Sequence, residues 1–174
     1  MNIIVEKAKN EQYLEILTLN KKGWYQAYNH IVDNKEMEEH FEYKFSNEGI
    51  ERFKHYIDKS QNFYVALDKE NKKILAYIDF GMCKWDLKYK EFGEIYAIYV
   101  LPEYQRYGIG QTLLDFAVNC FKQNNVKKIL LTTFKKNIIG LNFYKKNNFY
   151  IEKEFPKGTW HNNSQDEVLL FKNL

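Results

Sequence analysis

One stretch of the chain combines residue types at a spacing that could do chemistry: Gln105-Arg106-Tyr107-Gly108-Ile109-Gly110. It follows a strand-like run over 94–100, in which Ile95, Tyr96, Ile98, Tyr99 and Val100 are β-branched or aromatic. It precedes an apolar stripe at helical spacing through Leu113, Leu114, Ala117 and Phe121. A strand, a glycine-containing loop and a helix start together make a place for an anion. The loop N–H groups and the unpaired N–H groups of the first helical turn point the same way, and the helix dipole favours negative charge. Glycines at 108 and 110 remove side chains that would hold a phosphate away from the backbone.

Two familiar anion loops do not fit. The dinucleotide fingerprint requires a third glycine where this chain has Leu113, and a nucleotide-hydrolase loop requires Gly-Lys-Ser/Thr where this chain continues Gln111-Thr112. The stretch does match Q/R-x-x-G-x-G/A after a central strand, which resembles the pyrophosphate-binding signature of the GNAT superfamily of N-acetyltransferases. A second block, Asn137-Ile138-Ile139-Gly140-Leu141-Asn142-Phe143-Tyr144-Lys145-Lys146-Asn147-Asn148-Phe149, resembles the N-x-x-A-x-x-F-Y-x-x-x-G-F of that family. It departs from the pattern at Gly140, where alanine is usual, and at Asn148, where glycine is usual. Asparagine tolerates the left-handed cap nearly as well as glycine.

The resemblance spans 74–149. It implies direct transfer of an acetyl group from acetyl-CoA, as donor cosubstrate and without a metal, to an amine. It also implies that Gln105 to Gly110 hold the pyrophosphate and that backbone groups of Ile98, Tyr99 and Val100 pair with the pantetheine arm on a strand splayed from its neighbour. By the same likeness Asn137 hydrogen-bonds the cofactor and Tyr144 protonates the departing thiolate. Taken alone, Tyr144 reads as a helix tyrosine packed on a sheet.

The amine end carries the larger energetic problem. A lysine-like ammonium is neutral in roughly one molecule in 2,500 at pH 7, a cost of about 4.6 kcal/mol. A general base relieves part of it. Glu94, eleven residues before Gln105, is the candidate, at a spacing like that of the catalytic glutamate in some histone-type members of the family. Burial at the strand start would raise its pKa toward a useful value. The alternatives are a strand-end carboxylate paired with a lysine such as Lys90, or Asp79 or Tyr96 acting through water. A backbone N–H near Val100 would stabilise the tetrahedral oxyanion. At the thiol end, the Tyr144 hydroxyl (ordinary pKa about 10) would give its proton to a thiolate (about 8.5) at little cost.

The family places its acceptor between the segment after the first helix and the last strand loop. Here Trp24, Tyr28 and Trp160 are the candidate lining residues, with His30 and His161 beside them. Aromatic rings suit an apolar substrate or a cation. Asp33, Glu36, Glu38 and Glu39 could attract a polyamine or form a solvated helix face. The acceptor is therefore expected to be a small-molecule amine of polyamine type or a peptide amine. A non-catalytic acyl-CoA sensor with the same fold is the alternative.

The elements that must position these groups read, in order, as a strand over 3–8 and a helix capped by Asn10 with Tyr13, Leu14 and Leu17 on its stripe. Gly23 is expected to interrupt that helix, leaving an aromatic connection over 24–31. A second helical region runs from Asn34 toward Phe45, with a third short helix over 47–60 carrying Ile50, Phe53 and Ile57. Strands follow over 63–67 and 74–82, then a charged loop, then the central strand over 94–100. Both faces of that strand, Tyr96/Ile98/Val100 and Ile95/Ala97/Tyr99, are apolar, so it should be covered on both sides. A strand over 128–132, a helix over 137–147 and two closing strands over 149–155 and 167–171 complete the chain. The order β-α-α-β-β-β-α-β-α-β-β is α/β with a mixed sheet. The likeness makes it a GNAT-type, mostly antiparallel central sheet flanked by helices.

Bulk properties narrow the rest. At 174 residues with 45% hydrophobic content, residues 1–174 are expected to form a single domain with a sizeable core. The apolar runs are strand-sized and no signal peptide opens the chain, so a cytoplasmic protein with no membrane partner is expected. Cys83 and Cys120 read as free thiols, and the four histidines show no metal-ligand spacing. His40 and His55 are expected on solvated helix faces. A net charge of +3 spread among acids argues against nucleic acid as partner. A homodimer is compatible with these features.

Overall fold

The computed structural model describes residues 2–158 and 164–174. Strand β1 (Ile3–Lys7) is followed by helices α1 (Tyr13–Tyr28), α2 (Asn34–Phe45) and α3 (Asn47–Lys59). Next come β2 (Phe63–Asp68), β3 (Ile74–Met82), β4 (Gly93–Val100), α4 (Ile109–Gln123), β5 (Lys128–Phe134), α5 (Ile138–Lys146), β6 (Tyr150–Phe155) and β7 (Glu167–Asn173). Among the described residues three helices separate β1 from β2, matching the three helical stretches read from the sequence, of which the order β-α-α-β-β-β-α-β-α-β-β counts only two. The break is at Ser46, whose Oγ accepts from Gly49 N–H and caps α3 while its own N–H closes α2 on Tyr43 O.

The strands form one sheet in the order β1-β2-β3-β4-β5-β7-β6. Every adjacent pair is antiparallel except β4 and β5. That parallel pair is the hinge of the fold. It is joined only at Gly93↔Ile129 and Glu94↔Leu130, after which the strands diverge. β4 remains paired with β3 along its length, so from Ile95 onward its other edge faces a cleft. The expected burial on both sides holds for the start of the strand and fails for its second half, where Ala97 to Val100 are half-buried.

The expected faces of β4 are also revised. Asp79 pairs with Ala97 and Phe80 with Ile95, which leaves Tyr96 as an extra residue on β4. Such a bulge changes which side chains share a face. Ile95, Ile98 and Val100 pack with the α4 core around Ile78, Phe80, Leu113 and Ala117. Ala97 and Tyr99 instead join the α1–α3 core around Ile16, Leu19, Ile57 and Tyr77. Strict alternation would have placed Ile95 with Ala97 and Tyr99.

Gly23 does not interrupt α1. It is buried mid-helix, where an added Cβ would lie 2.6 Å from Cδ1 of Tyr99. The glycine lets the helix approach β4, so the residues expected to form an aromatic connection continue the helix to Tyr28. No helix among the described residues is long and apolar enough to cross a membrane.

Candidate active site

The divergence of β4 and β5 opens a cleft of about 510 Å³, closed by α1 on one side and by the starts of α4 and α5 on the other. Its phosphate-sized end is made by backbone. Arg106 and Gly108 both adopt left-handed conformations, with φ of 67° and 83°. Gly108 precedes α4, and the first bond of the helix runs from Thr112 N–H to Gly108 O at 2.9 Å. The preceding amides therefore stand at the positive end of the helix without intrahelical partners. Nothing lies within 4 Å of where a Cβ on Gly108 would point, while one on Gly110 would come 3.4 Å from Val100 Cγ2. The first glycine keeps the mouth open and the second lets α4 begin against β4.

Gln105 holds the loop to its surroundings. Its Oε1 accepts from Gln26 Nε2 at 3.0 Å, and its own amide lies near Val100 O at 3.4 Å. Of the loop residues expected at the cofactor, Gln105, Arg106, Gly108 and Gly110 line the cleft. Tyr107 is largely exposed and Ile109 is buried in the α4 core, so any contribution from these two is through backbone.

Ile98, Tyr99 and Val100 line the cleft along the unpaired edge of β4. Across from them stand Thr132 and Thr133 of β5 and the start of α5. Asn137 caps α5: its Oδ1 accepts from Gly140 N–H and its Nδ2 donates to Thr133 Oγ1, each at 3.0 Å. A Cβ on Gly140 would fall 2.5 Å from Asn137 Nδ2, so the glycine standing where alanine is usual makes room for this cap. Asn148, with φ of 61°, provides the left-handed turn after α5.

Tyr144 lines the cleft from α5, its ring against Phe143 and Phe149. Burial raises its hydroxyl well above the ordinary value, with neighbouring Tyr28 adding to the effect. The hydroxyl is thus held protonated more firmly than an exposed tyrosine. Tyr28, from α1, also lines the cleft, and burial raises its hydroxyl pKa, with the nearby Tyr99 and Thr133 side chains offsetting part of the rise.

Glu94 is 8% exposed and stands where β4 and β5 part, one residue before the stretch of β4 that lines the cleft, and its own side chain does not line it. Its Oε1 accepts from Trp85 Nε1 at 2.9 Å and its Oε2 has no hydrogen-bond partner. Burial raises its pKa, and the Trp85 indole and Cys83 thiol beside it offset part of the rise. The lysine pair considered for it, with Lys90, is not among the ion pairs of the described residues.

Other expectations separate. Trp24 stacks on His40 at 4.7 Å and does not line the cleft. His40 is therefore half-buried rather than on a solvated face, and burial, with Lys44 nearby, lowers its pKa to about 4. Trp160 and His161 lie outside the described residues. Glu36, Glu38 and Glu39 are exposed, and Asp33 caps α2 by accepting from Lys35 N–H. Lys146 reaches the cleft, whereas Lys135 pairs with Glu154 at 2.6 Å. Sequence reading missed Gln26, Thr132, Thr133 and Phe143 as lining residues. The threonines were legible only as strand residues, because their exposure depends on the divergence of β5 from β4.

Comparison with known proteins identifies a family and agrees with the fold. The model of the acetyltransferase (GNAT) family matches residues 24–149. The spermidine N(1)-acetyltransferase of Thermoplasma acidophilum is 27% identical over 157 residues, which cover 87% of this chain and 91% of that protein. The crystal structure of the PaiA N-acetyltransferase of T. acidophilum, in complex with coenzyme A, is similar over 100% of both chains, with a TM-score of 0.80 at 22% identity. An acetyltransferase of the GNAT family from Streptococcus pneumoniae gives a TM-score of 0.68 at 18% identity, over 99% of this chain and 100% of that one.

Proposed function

The chain belongs to the GNAT family of acetyltransferases, and from that premise we propose that it moves an acetyl group from acetyl-CoA to a primary amine of a small, polyamine-like molecule. The observation that carries the reading is the cleft itself: an unpaired β4 edge running from a buried carboxylate to a helix N-terminus, with a buried tyrosine facing it. A peptide amine is the other acceptor class the fold admits. The relative named for spermidine acetylation favours the small amine.

The residues fit the donor. Left-handed Arg106 and Gly108 and the start of α4 form a concave set of amides suited to a pyrophosphate. The free edge of Ile98, Tyr99 and Val100 offers backbone donors and acceptors for the amides of an extended arm. Acetyl-CoA, when bound, supplies the activated thioester.

The chain's own groups would then act on protons and charge. Glu94 takes a proton from the incoming ammonium, directly or through water, so that the amine nitrogen can bond to the acyl carbon. An amide N–H near Val100 meets the oxyanion. The bond from carbon to sulfur would then break as the nitrogen gives its second proton to water, and Tyr144 would be the group that meets the leaving thiolate. Because burial raises the Tyr144 pKa, its first contribution is a hydrogen bond to the thiolate. Full proton transfer becomes inexpensive to the extent that the same burial raises the thiol. This refines the expectation drawn from ordinary pKa values.

The test is a panel of amines and amino-terminal peptides, incubated with acetyl-CoA and read by mass spectrometry and thiol release. Mono-acetylated small amines are expected to appear faster than acetylated peptides. Product from peptides alone would replace the acceptor, and thiol release independent of every amine would remove the transfer reading.

A further inference from the structure

A second carboxylate stands behind the bulge of β4. Asp79 of β3 is 4% exposed and lies on the α1–α3 face. Tyr56 of α3 donates its hydroxyl to Asp79 Oδ2, and Ser60 Oγ donates to Oδ1 at 3.3 Å. Glu94 pairs across from Gly81, two residues along β3 from Asp79.

The bulge residue joins them. Tyr96 donates to Met82 O at 2.6 Å, and a Cβ on Gly81 would come 2.7 Å from its hydroxyl. The Tyr96 side chain therefore covers Gly81 on the face shared by both acids. It also lines the active-site cleft, and it is 38% exposed beside Tyr56 at 43%. Of these two half-exposed tyrosines, Tyr96 lines the cleft, and Tyr56 reaches Asp79 from a neighbouring hollow that it shares with Arg52 and Lys59.

Buried carboxylates are ordinarily matched by cations. Neither acid is in an ion pair among the described residues, and Glu94 Oε2 is buried without any hydrogen-bond partner. The cation that influences Asp79 is Lys84, an exposed residue just beyond β3 that makes no ion pair with it. The two acids lack a cation partner among the described residues, and the aromatic ring of Tyr96 beside them lines the cleft, from which an ammonium would reach them. Those are the properties of a seat for an ammonium group.

We propose that Asp79, held by Tyr56 and with Tyr96 beside it, binds the distal ammonium of a diamine or polyamine while Glu94 serves the amine that reacts. Asp79 is thereby a specificity-determining residue that distinguishes diamines from monoamines of the same length. The exposed acids of α2 have no such part, since water already solvates them. This rests on the reading of the cleft as an amine-acceptor site.

The experiment measures binding rather than turnover, so that it can fail separately from the transfer reaction. Calorimetry on the protein with coenzyme A present compares 1,4-diaminobutane with butylamine, and 1,8-diaminooctane with octylamine. At least one diamine is expected to bind about tenfold or more tightly than its monoamine, with the preference lost in Asp79→Asn. That variant keeps a carbonyl acceptor for Tyr56 and turns an amide N–H toward the Ser60 hydroxyl, which can accept it. Tyr56→Lys, which brings the chain's own ammonium beside Asp79 from a half-exposed position, is expected to abolish the preference as well and guards against a folding defect in the first variant. Equal affinity for diamine and monoamine in both pairs, no binding of either amine, or a preference that survives both substitutions overturns the proposal. A preference dependent on Asp79 in a protein that acetylates none of these amines would sustain the subsite and reject the transfer reading.

Discussion

The two ends of the cleft are built from different material. The end proposed for the donor is made of backbone: left-handed Arg106 and Gly108, the amides that open α4, and the unpaired edge of β4. The end proposed for the acceptor is made of side chains from β3, β4 and α3, two of them carboxylates placed in low dielectric. Backbone amides keep their dipoles whatever the pH. Buried carboxylates do not, and they are costly until a cation arrives. The first end can be rigid and shared by many proteins, whereas the second can change its ligand by changing one residue.

Substitutions on either side should separate these ends, and the largest effect is expected where they meet. Tyr144→Phe should lower kcat by about 10²- to 10³-fold while changing acetyl-CoA affinity less than about threefold, as steady-state kinetics and calorimetry would show. Unchanged turnover would remove Tyr144 from the leaving-group role. At the backbone end, Gly108→Val forces a β-branched residue to φ of 83°. It should weaken acetyl-CoA by roughly 30- to 100-fold and erase ligand-induced thermal stabilisation, which is about 2.7 kcal/mol at 100 times Kd in an intact site. Wild-type affinity in that variant would break the assignment of this end to phosphate.

At the side-chain end, Glu94→Gln should reduce kcat/KM by about 10- to 50-fold near neutral pH. The wild-type rate should rise as pH passes through a pKa above the ordinary carboxylate range, because burial raises that of Glu94 and the base acts when deprotonated. The variant should lose that limb of the profile.

Asp79 gives the contrast in stability. Its pKa is raised to about 6, chiefly by burial. The folded form then binds more protons than the unfolded form between about pH 4 and 6. The contribution of Asp79 is therefore greatest below about pH 4 and is lost as pH rises through about 6, by up to about 3 kcal/mol. Urea melts across this range should show a flatter profile for Asp79→Asn than for wild type. The smallest effect belongs to the solvated acids: Glu38→Gln should alter stability by less than about 0.5 kcal/mol and amine affinity by less than about twofold.

The two ends also differed in how far they could be read beforehand. The donor end is local in the chain: strand, turn and helix start are contiguous, and Gln105 to Gly110 announce a loop that only particular backbone conformations satisfy. Asn148 was legible for the same reason, and its φ of 61° is what a glycine position demands. Gly23 misled because a glycine within a helix looks like a break until its neighbour is known, and that neighbour is Tyr99, 76 positions away in the chain.

The faces of β4 misled because a bulge has no marked signature in so apolar a run. The pairing of Asp79 with Ala97 and Phe80 with Ile95 depends on how β3 lies against β4. Glu94 was singled out by spacing, but its unpartnered Oε2 and its relation to Asp79 come from strands brought together by folding.

By itself the sequence determined the strand-loop-helix units, the phosphate-type loop and the tyrosine block of α5, because each is encoded by residues within a dozen positions of one another. Only the tertiary structure decided where β5 leaves β4, which face Tyr96 takes and which acids lose their water. Those outcomes depend on strand register and packing between distant segments, and burial is a property of the assembled sheet rather than of any one residue.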